Sequence, residues 1–298
     1  METDASHSFE DHRGYLQALA YRMLGSFSEG QDVVQDAWLR QSRVDLTMVD
    51  HPRAYLSRIV TNLCLDRMQS ARARREQYVG CWLPEPLEDE HCAYDPGPMA
   101  NLEYAQSISI AFMLTLERLT ILERAAFLLH DVFDQSYEEI SHRLARSEAT
   151  CRQLAARARK LVQREKSIVD IEQEKATTLL KAFVQAISSG DVESLAQLLT
   201  EDVVMLSDGG GIVTAVPRPL NGVNLISRTL IGFAKLWRPQ DFHLRLSTIN
   251  SLPAVILYNL QGQAVQTTAL SFNDNGQIKA IYAMRNPQKL AHLNLLPS

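Results

Sequence analysis

Apolar and polar residues recur with two different periods along this 298-residue chain, and the change of period divides it. Up to about residue 168 the period is helical. Leu16, Leu19, Ala20, Met23 and Leu24 fall at i, i+3, i+4, i+7 and i+8, which sets them on one stripe. Val33, Val34, Ala37 and Trp38 begin a second stripe. Leu56, Ile59, Val60 and Leu63 form a third, on a helix with Pro52 in its first turn. "QSYEEISHRLARSEATCRQLAARARKLVQRE" predicts a helix, a short turn and a helix. Tyr137, Ile140 and Leu144 line the first. Ser147 is placed to cap the second, with Glu148 complementing the dipole, and Cys151, Leu154, Ala155, Ala158, Leu161 and Val162 form its apolar side. From Thr177 an amphipathic helix pair gives way to "FHLRLSTI", "AVILYNL", "AVQTTALSF" and "QIKAIYAM", which read as strands. "FNDNGQI" is a hairpin signal, with Asn275-Gly276 able to supply positive φ. Helices followed by an antiparallel meander make the last block α+β.

Between the helical blocks the periodicity stops. Residues 77–100 are rich in proline and acid, and "YVGCWLPEPL" packs an indole, a tyrosine and leucines around two prolines. Proline excludes helix here and favours a stiff, extended backbone, and so much apolar surface needs cover. The second half of this connector is expected to be loose.

The formal net charge of -5 conceals an uneven distribution. Residues 1–95 carry an acid excess, whereas Ser141–Lys166 is basic, so the local patch says more about partners than the whole-chain balance. Cys64, Cys81, Cys92 and Cys151 form no C-x-x-C pair, the opening residues lack a basic and then apolar leader, and no run reaches the length of a membrane span. A reduced cytoplasmic protein is expected, without structural zinc, cofactor or membrane partner.

The outer face of the helix capped by Ser147 shows Arg152, Gln153, Ala156, Arg157 and Lys160, with Arg159 and Arg164 alongside. Arginine and glutamine at the front of a helix can read guanine and adenine edges in a major groove, and the later cations can meet phosphates. An ordinary helical hairpin with a solvated basic face fits the same pattern. In the first block Asp32, Asp36, Leu39, Arg40 and Arg43 lie away from the apolar stripe, a protein-contacting surface or a solvated face. Arg58, Asn62, Asp66, Gln69 and Arg72 run opposite the third stripe, with Arg67, Arg74 and Arg75 nearby; this suits base edges and phosphates, or a charged helix end.

Taken together the two helical blocks resemble the extracytoplasmic-function sigma factors, the subunits that give bacterial RNA polymerase its promoter choice. "AYRMLGSFSEGQDVVQDAWLR" and "PRAYLSRIVTNLCLDRMQSARARRE" resemble that family's region 2, and "LTILERAAFLLHDVFDQSYEEISHRLARSEATCRQLAARARKLV" its region 4. The resemblance implies that Asp32, Asp36, Trp38 and Leu39 dock on the β′ clamp helices of core RNA polymerase, and that region 4 meets the β flap. It implies that Arg58, Asn62, Asp66, Arg67, Gln69 and Arg72 capture the -10 element of promoter DNA, with Asn62 and Asp66 acting on opened DNA. Arg152, Gln153, Ala156, Arg157, Arg159 and Lys160 would engage the -35 element.

"WLPEP", "DGGG" at Asp208–Gly211 and "RNPQKLAHL" at Arg285–Leu293 resemble three signatures of one subgroup, which carries a C-terminal SnoaL-like cone of curved sheet and helices. That subgroup's pattern continues Asp-Gly-Gly-Gly-Lys, and here Ile212 stands in place of the lysine. The implied architecture is multi-domain: an all-α region 2 bundle over 1–76, a linker over 77–100, an all-α region 4 helix-turn-helix over 101–168 and the α+β SnoaL-like domain over 169–298. Trp82 and Leu83 are expected to be buried against that last domain. Trp82, Leu83, Pro84, Asp208, Gly209, Gly210, Gly211, Asn286, Pro287 and Leu290 are expected to meet at one regulatory seam, with Asp208 capping the glycine turn. The glycines lack the following Lys-Ser/Thr of a P-loop, so a tight turn between strands, close to the linker, is expected rather than a phosphate nest.

The function so implied is an alternative sigma factor modulated in cis by its C-terminal domain. The other reading makes that domain an enzyme or a small-ligand sensor fused to a DNA-binding module. Asp208, His243 and Tyr258 are its available acid-base candidates, and no paired-carboxylate or H-x-x-x-D pattern joins them.

Overall fold

The computed structural model describes residues 2–42, 49, 51–76, 78–88, 108–165, 172–235 and 239–295; the later half of the connector lies outside them. The chain divides into two units, one of Met1–Gln77 with Cys92–Lys166 and the other of Tyr78–His91 with Ser167–Ser298. The boundary therefore cuts the connector, and its tryptophan-bearing half belongs with the C-terminal part.

The first unit is all helix. α1 (Glu2–Leu24), α2 (Phe27–Gln41) and α3 (Pro52–Glu76) pack on one another through the three stripes, with Leu16, Leu19, Val33, Val34, Leu56 and Val60 buried. α4 (Ile110–Glu117), α5 (Ile121–Phe127), α6 (Tyr137–Leu144) and α7 (Glu148–Glu165) follow. Sharp punctuation sets their ends. Thr120 and Ser136 each form a capping box, with Glu123 and Glu139 returning to the cap. Ser147 accepts from the Thr150 amide at 3.2 Å and so starts α7, as expected. Between α6 and α7 the backbone turns at Ala145, held left-handed at φ 49. Cys151, Ala155, Ala158 and Val162 are buried, while Leu154 and Leu161 are half-buried. The fully buried Arg124 joins the two helix groups, donating to Met23 O at the end of α1 and to Leu116 O, both at 2.9 Å.

The second unit is α+β. α8 (Gln173–Ser189), α9 (Val192–Gln197) and α10 (Val223–Ala234) accompany a six-stranded sheet in the order β2-β1-β6-β5-β4-β3. The strands are β1 (Leu199–Asp208), β2 (Leu220–Asn221), β3 (Phe242–Ile249), β4 (Leu252–Asn259), β5 (Ala264–Phe272) and β6 (Ile278–Met284). β3 to β6 form the expected antiparallel meander, but the sheet is mixed, because β1 runs parallel to β6. Leu180, Phe183, Leu195, Val203, Met205, Ile226, Leu270 and Ile281 fill the core between helices and sheet. In the β5–β6 turn only Gly276 takes positive φ, at 80; Asn273 instead organises the turn by accepting from the Asn275 and Gln277 amides. A short helix, α11 (Pro287–Leu290), follows β6. Among the described residues no helix is long and apolar enough to cross a membrane.

Candidate functional site: a buried carboxylate holding the linker

Asp208 ends β1, where the pleat turns it away from the Val203 and Met205 side. Its carboxylate is wholly buried and accepts four hydrogen bonds: from Tyr78 Oη at 2.6 Å, Leu83 N at 2.9 Å, Gly210 N at 3.0 Å and Lys289 Nζ at 2.8 Å. A carboxylate without water needs this degree of satisfaction. Asp208 O also accepts from Arg285 N at 2.7 Å and Asn286 N at 3.0 Å, which seats the start of α11 beside it. Asn286 caps α11 through Gln288 N and donates from Nδ2 to Tyr78 Oη at 2.9 Å. Tyr78 thus donates to Asp208 while accepting from Asn286. Burial, and then the bond to Asp208, push its pKa upward, so the phenol keeps its proton.

The linker, the glycine turn and the tail therefore meet. The glycines are required by space as well as by φ. A Cβ on Gly210 (φ 65) would lie 2.3 Å from Asn286 Nδ2, and one on Gly209 2.3 Å from Val213 O. Gly211 (φ 71) brings the turn against Val79 of the linker. The turn amides are used internally, Gly210 N on Asp208 and the amides of Ile212 and Val213 on Gly209 O. Leu83, Pro84 and Leu290 are buried, and Pro287 is exposed.

Trp82 departs from expectation: it is half-buried rather than buried. Its ring faces a cation, with Lys289 Nζ 4.5 Å from the Trp82 centroid and 5.0 Å from that of Tyr78. The same ammonium reaches Leu83 O at 2.5 Å. Ile212, at the subgroup's lysine position, is exposed and makes no part of this node.

Sequence reading passes over a second anchor a few residues on. Leu87 and Asn250 exchange bonds, Asn250 N to Leu87 O at 2.8 Å and Leu87 N to Asn250 Oδ1 at 3.1 Å. Glu88, also buried, bridges to the edge strand β3 at Ile249 and accepts from Arg245 Nη1 and Nη2, at 2.7 and 3.0 Å, and from Ser247 Oγ. His292 Nε2 lies 2.7 Å from Pro86 O. No local pattern marks these residues, because every partner is more than 150 positions away along the chain.

Asp208 is not brought to the other two acid-base candidates. Asp208 sits on β1, three strands from Tyr258 on β4, and the exposed His243 pairs with Tyr258 across the β3–β4 ladder. Tyr258 is buried and accepts from Arg245 at 2.7 Å.

On the helical unit, Arg58, Asn62, Asp66 and Gln69 form one exposed stripe along α3. Arg67 turns off that stripe toward α2, donating to Glu29 O and Asp36, each at 2.9 Å. The Arg72 side chain lies outside the described residues. On α2, Asp32 and Leu39 are exposed and Asp36 and Trp38 half-buried. On α7, Arg152, Gln153, Ala156, Arg157 and Lys160 are exposed, whereas Arg159 is held by Asp131 at 2.7 and 2.9 Å. Arg152 pairs with Glu148 at 2.5 Å and lies 5.2 Å from the Tyr137 ring centroid.

Comparison with known proteins places the chain in a family. Residues 8–74 match the model of sigma-70 region 2, and residues 109–162 that of sigma-70 region 4. The chain is 34% identical over 291 residues to the ECF RNA polymerase sigma factor SigJ of Mycobacterium tuberculosis, covering 94% of this chain and 91% of SigJ. It is 29% identical over 287 residues to the probable ECF RNA polymerase sigma factor SigI of the same species, covering 96% of this chain and 94% of SigI. The crystal structure of M. tuberculosis SigJ matches it with a TM-score of 0.73 at 31% identity, over 95% of this chain and 97% of that one. The chain belongs to the extracytoplasmic-function sigma factors, the alternative sigma factors that direct bacterial RNA polymerase to specific promoters.

Proposed function

We propose that this chain selects promoters for RNA polymerase in the cytoplasm, and that its C-terminal domain modulates it in cis by gripping the linker between regions 2 and 4. Asp32, Asp36, Trp38 and Leu39 on α2 dock on the β′ clamp helices, and region 4 on the β flap. The α3 stripe of Arg58, Asn62, Asp66 and Gln69, extended by Arg72, captures the opened -10 element. Arg152, Gln153, Ala156, Arg157 and Lys160 on α7 read the -35 element, while Arg159 supports α7 through Asp131.

The observation that carries the regulatory half is the buried Asp208 carboxylate, which holds a linker hydroxyl and a linker amide and is itself held by the tail lysine. Tyr78 and Leu83 are thereby tied to the C-terminal domain within the chain that runs from region 2 to region 4. A small ligand that acts on this factor does so, in this reading, by tightening or loosening that node. Run-off transcription with core polymerase is the test. The full-length chain, Asp208→Asn and a chain ending at Lys166 are compared on promoters selected with the holoenzyme. Distinct outputs from the three support control through the linker; equal outputs overturn it.

A further inference from the structure

Arg67 carries more than the role of a DNA cation. Through it α3 reaches the acids of α2. Its guanidinium is fixed at two points, Glu29 O and Asp36 Oδ2 at 2.9 Å each, with Asp32 Oδ2 at 3.9 Å. Its neighbours Asp66 and Gln69 point to solvent on the α3 stripe. Asp32 and Asp36 belong to the other exposed surface, on α2. One guanidinium therefore spans the gap between the two surfaces, and it is 29% exposed.

We propose that Arg67 is a shared cation that couples the two surfaces of region 2. In the free chain the α2 acids hold it, so it is withheld from nucleic acid. When those acids are covered by a cationic protein surface, their charge is matched from outside, and Arg67 is released to a phosphate beside the α3 stripe. Polymerase contact thereby switches on one DNA contact. The exchange is favourable because a part-exposed ion pair holds weakly and is readily replaced. This rests on the assignment of α2 to polymerase and α3 to DNA, but its physical core, release of Arg67 by neutralising Asp36, is testable without polymerase.

The probe is a labelled dT20 single strand, titrated with the free full-length chain at 50 and 200 mM salt. Releasing one cation adds one phosphate contact. The ratio of affinities between the two salts should then rise about 2.6-fold for Asp36→Asn, from a slope increment of ~0.7 per single-strand contact. Arg67→Lys keeps the charge but loses the two-point hold, and should move in the same direction. Arg67→Ala should remove the effect of Asp36→Asn altogether. A flat response to Asp36→Asn overturns the proposal, as does a gain that persists in the Arg67→Ala background, which reports only the loss of a nearby negative charge. Melting temperatures of all variants identify any that fail to fold, and Arg67→Lys keeps the cycle readable if Arg67→Ala is one of them. Transcription by the wild-type chain with core polymerase is run alongside. A silent wild type strikes the assignment of function, whereas a flat dT20 cycle with active wild type strikes only the sharing of Arg67.

Discussion

Asp208 concentrates the hold on the linker in one carboxylate, and its surroundings set what each substitution does. Asp208→Asn keeps the shape but removes the charge that Lys289, 16% exposed, is paired with. Breaking a buried pair from one side costs about 3–5 kcal/mol. The C-terminal unit should melt earlier, and exchange of the Leu83 amide, measured by hydrogen exchange, should speed up. Tyr78→Phe removes one donor to the carboxylate and one acceptor for Asn286; a milder loss of about 1.5–3 kcal/mol is expected, read by the same melt. Gly210→Ala meets both a left-handed backbone and a contact at 2.3 Å, so it should displace Asn286 and loosen α11 even though it adds only a methyl. Asp208, Asn286 and the glycines were legible because their stretches resemble the subgroup's signatures, and the Asp208 cap on the glycine turn because that turn has a chemistry of its own. Lys289, Glu88 and Arg245 were not: a long charged side chain in a polar context reads as solvated, and only tertiary placement shows where it ends.

At the scale of elements, the helices with clear stripes and caps were readable, α3 and α7 most of all. Strands β3 to β6 were also readable, since each alternates between its own turns. β1 was harder to place, because its partner β6 lies some 80 positions on and runs parallel to it, a pairing that no local pattern signals. α7 separates two kinds of arginine that look alike in sequence. Arg157 is exposed, and Arg157→Ala should weaken promoter binding by ~1–3 kcal/mol and relax one base position if it reads a base edge. Arg159 is tied to Asp131, so Arg159→Ala should instead shift all sequences alike and lower the stability of the helical unit by no more than about 1 kcal/mol. Binding of the holoenzyme to a panel of singly substituted -35 elements distinguishes the two.

Across the whole molecule the grip on the linker depends on residues from the far end of the chain. Deleting residues 286–298 removes Asn286 and Lys289 together, and should raise hydrogen exchange across Tyr78–Leu87 and change promoter output without touching any DNA-facing side chain. Unchanged exchange and output would show that the tail is dispensable. The order of synthesis adds a consequence of its own. Tyr78 is made 130 residues before Asp208 and 208 residues before Asn286. At roughly 5–20 residues per second, the ribosome leaves the linker without its clasp for on the order of 10–40 s. Regions 2 and 4 are complete for most of that time. A newborn factor is therefore unclasped before it is ever clasped, and polymerase that meets the nascent chain encounters a different protein from the finished one. Slow codons between the two units would lengthen that window, and a message cut short after Lys166 would make it permanent.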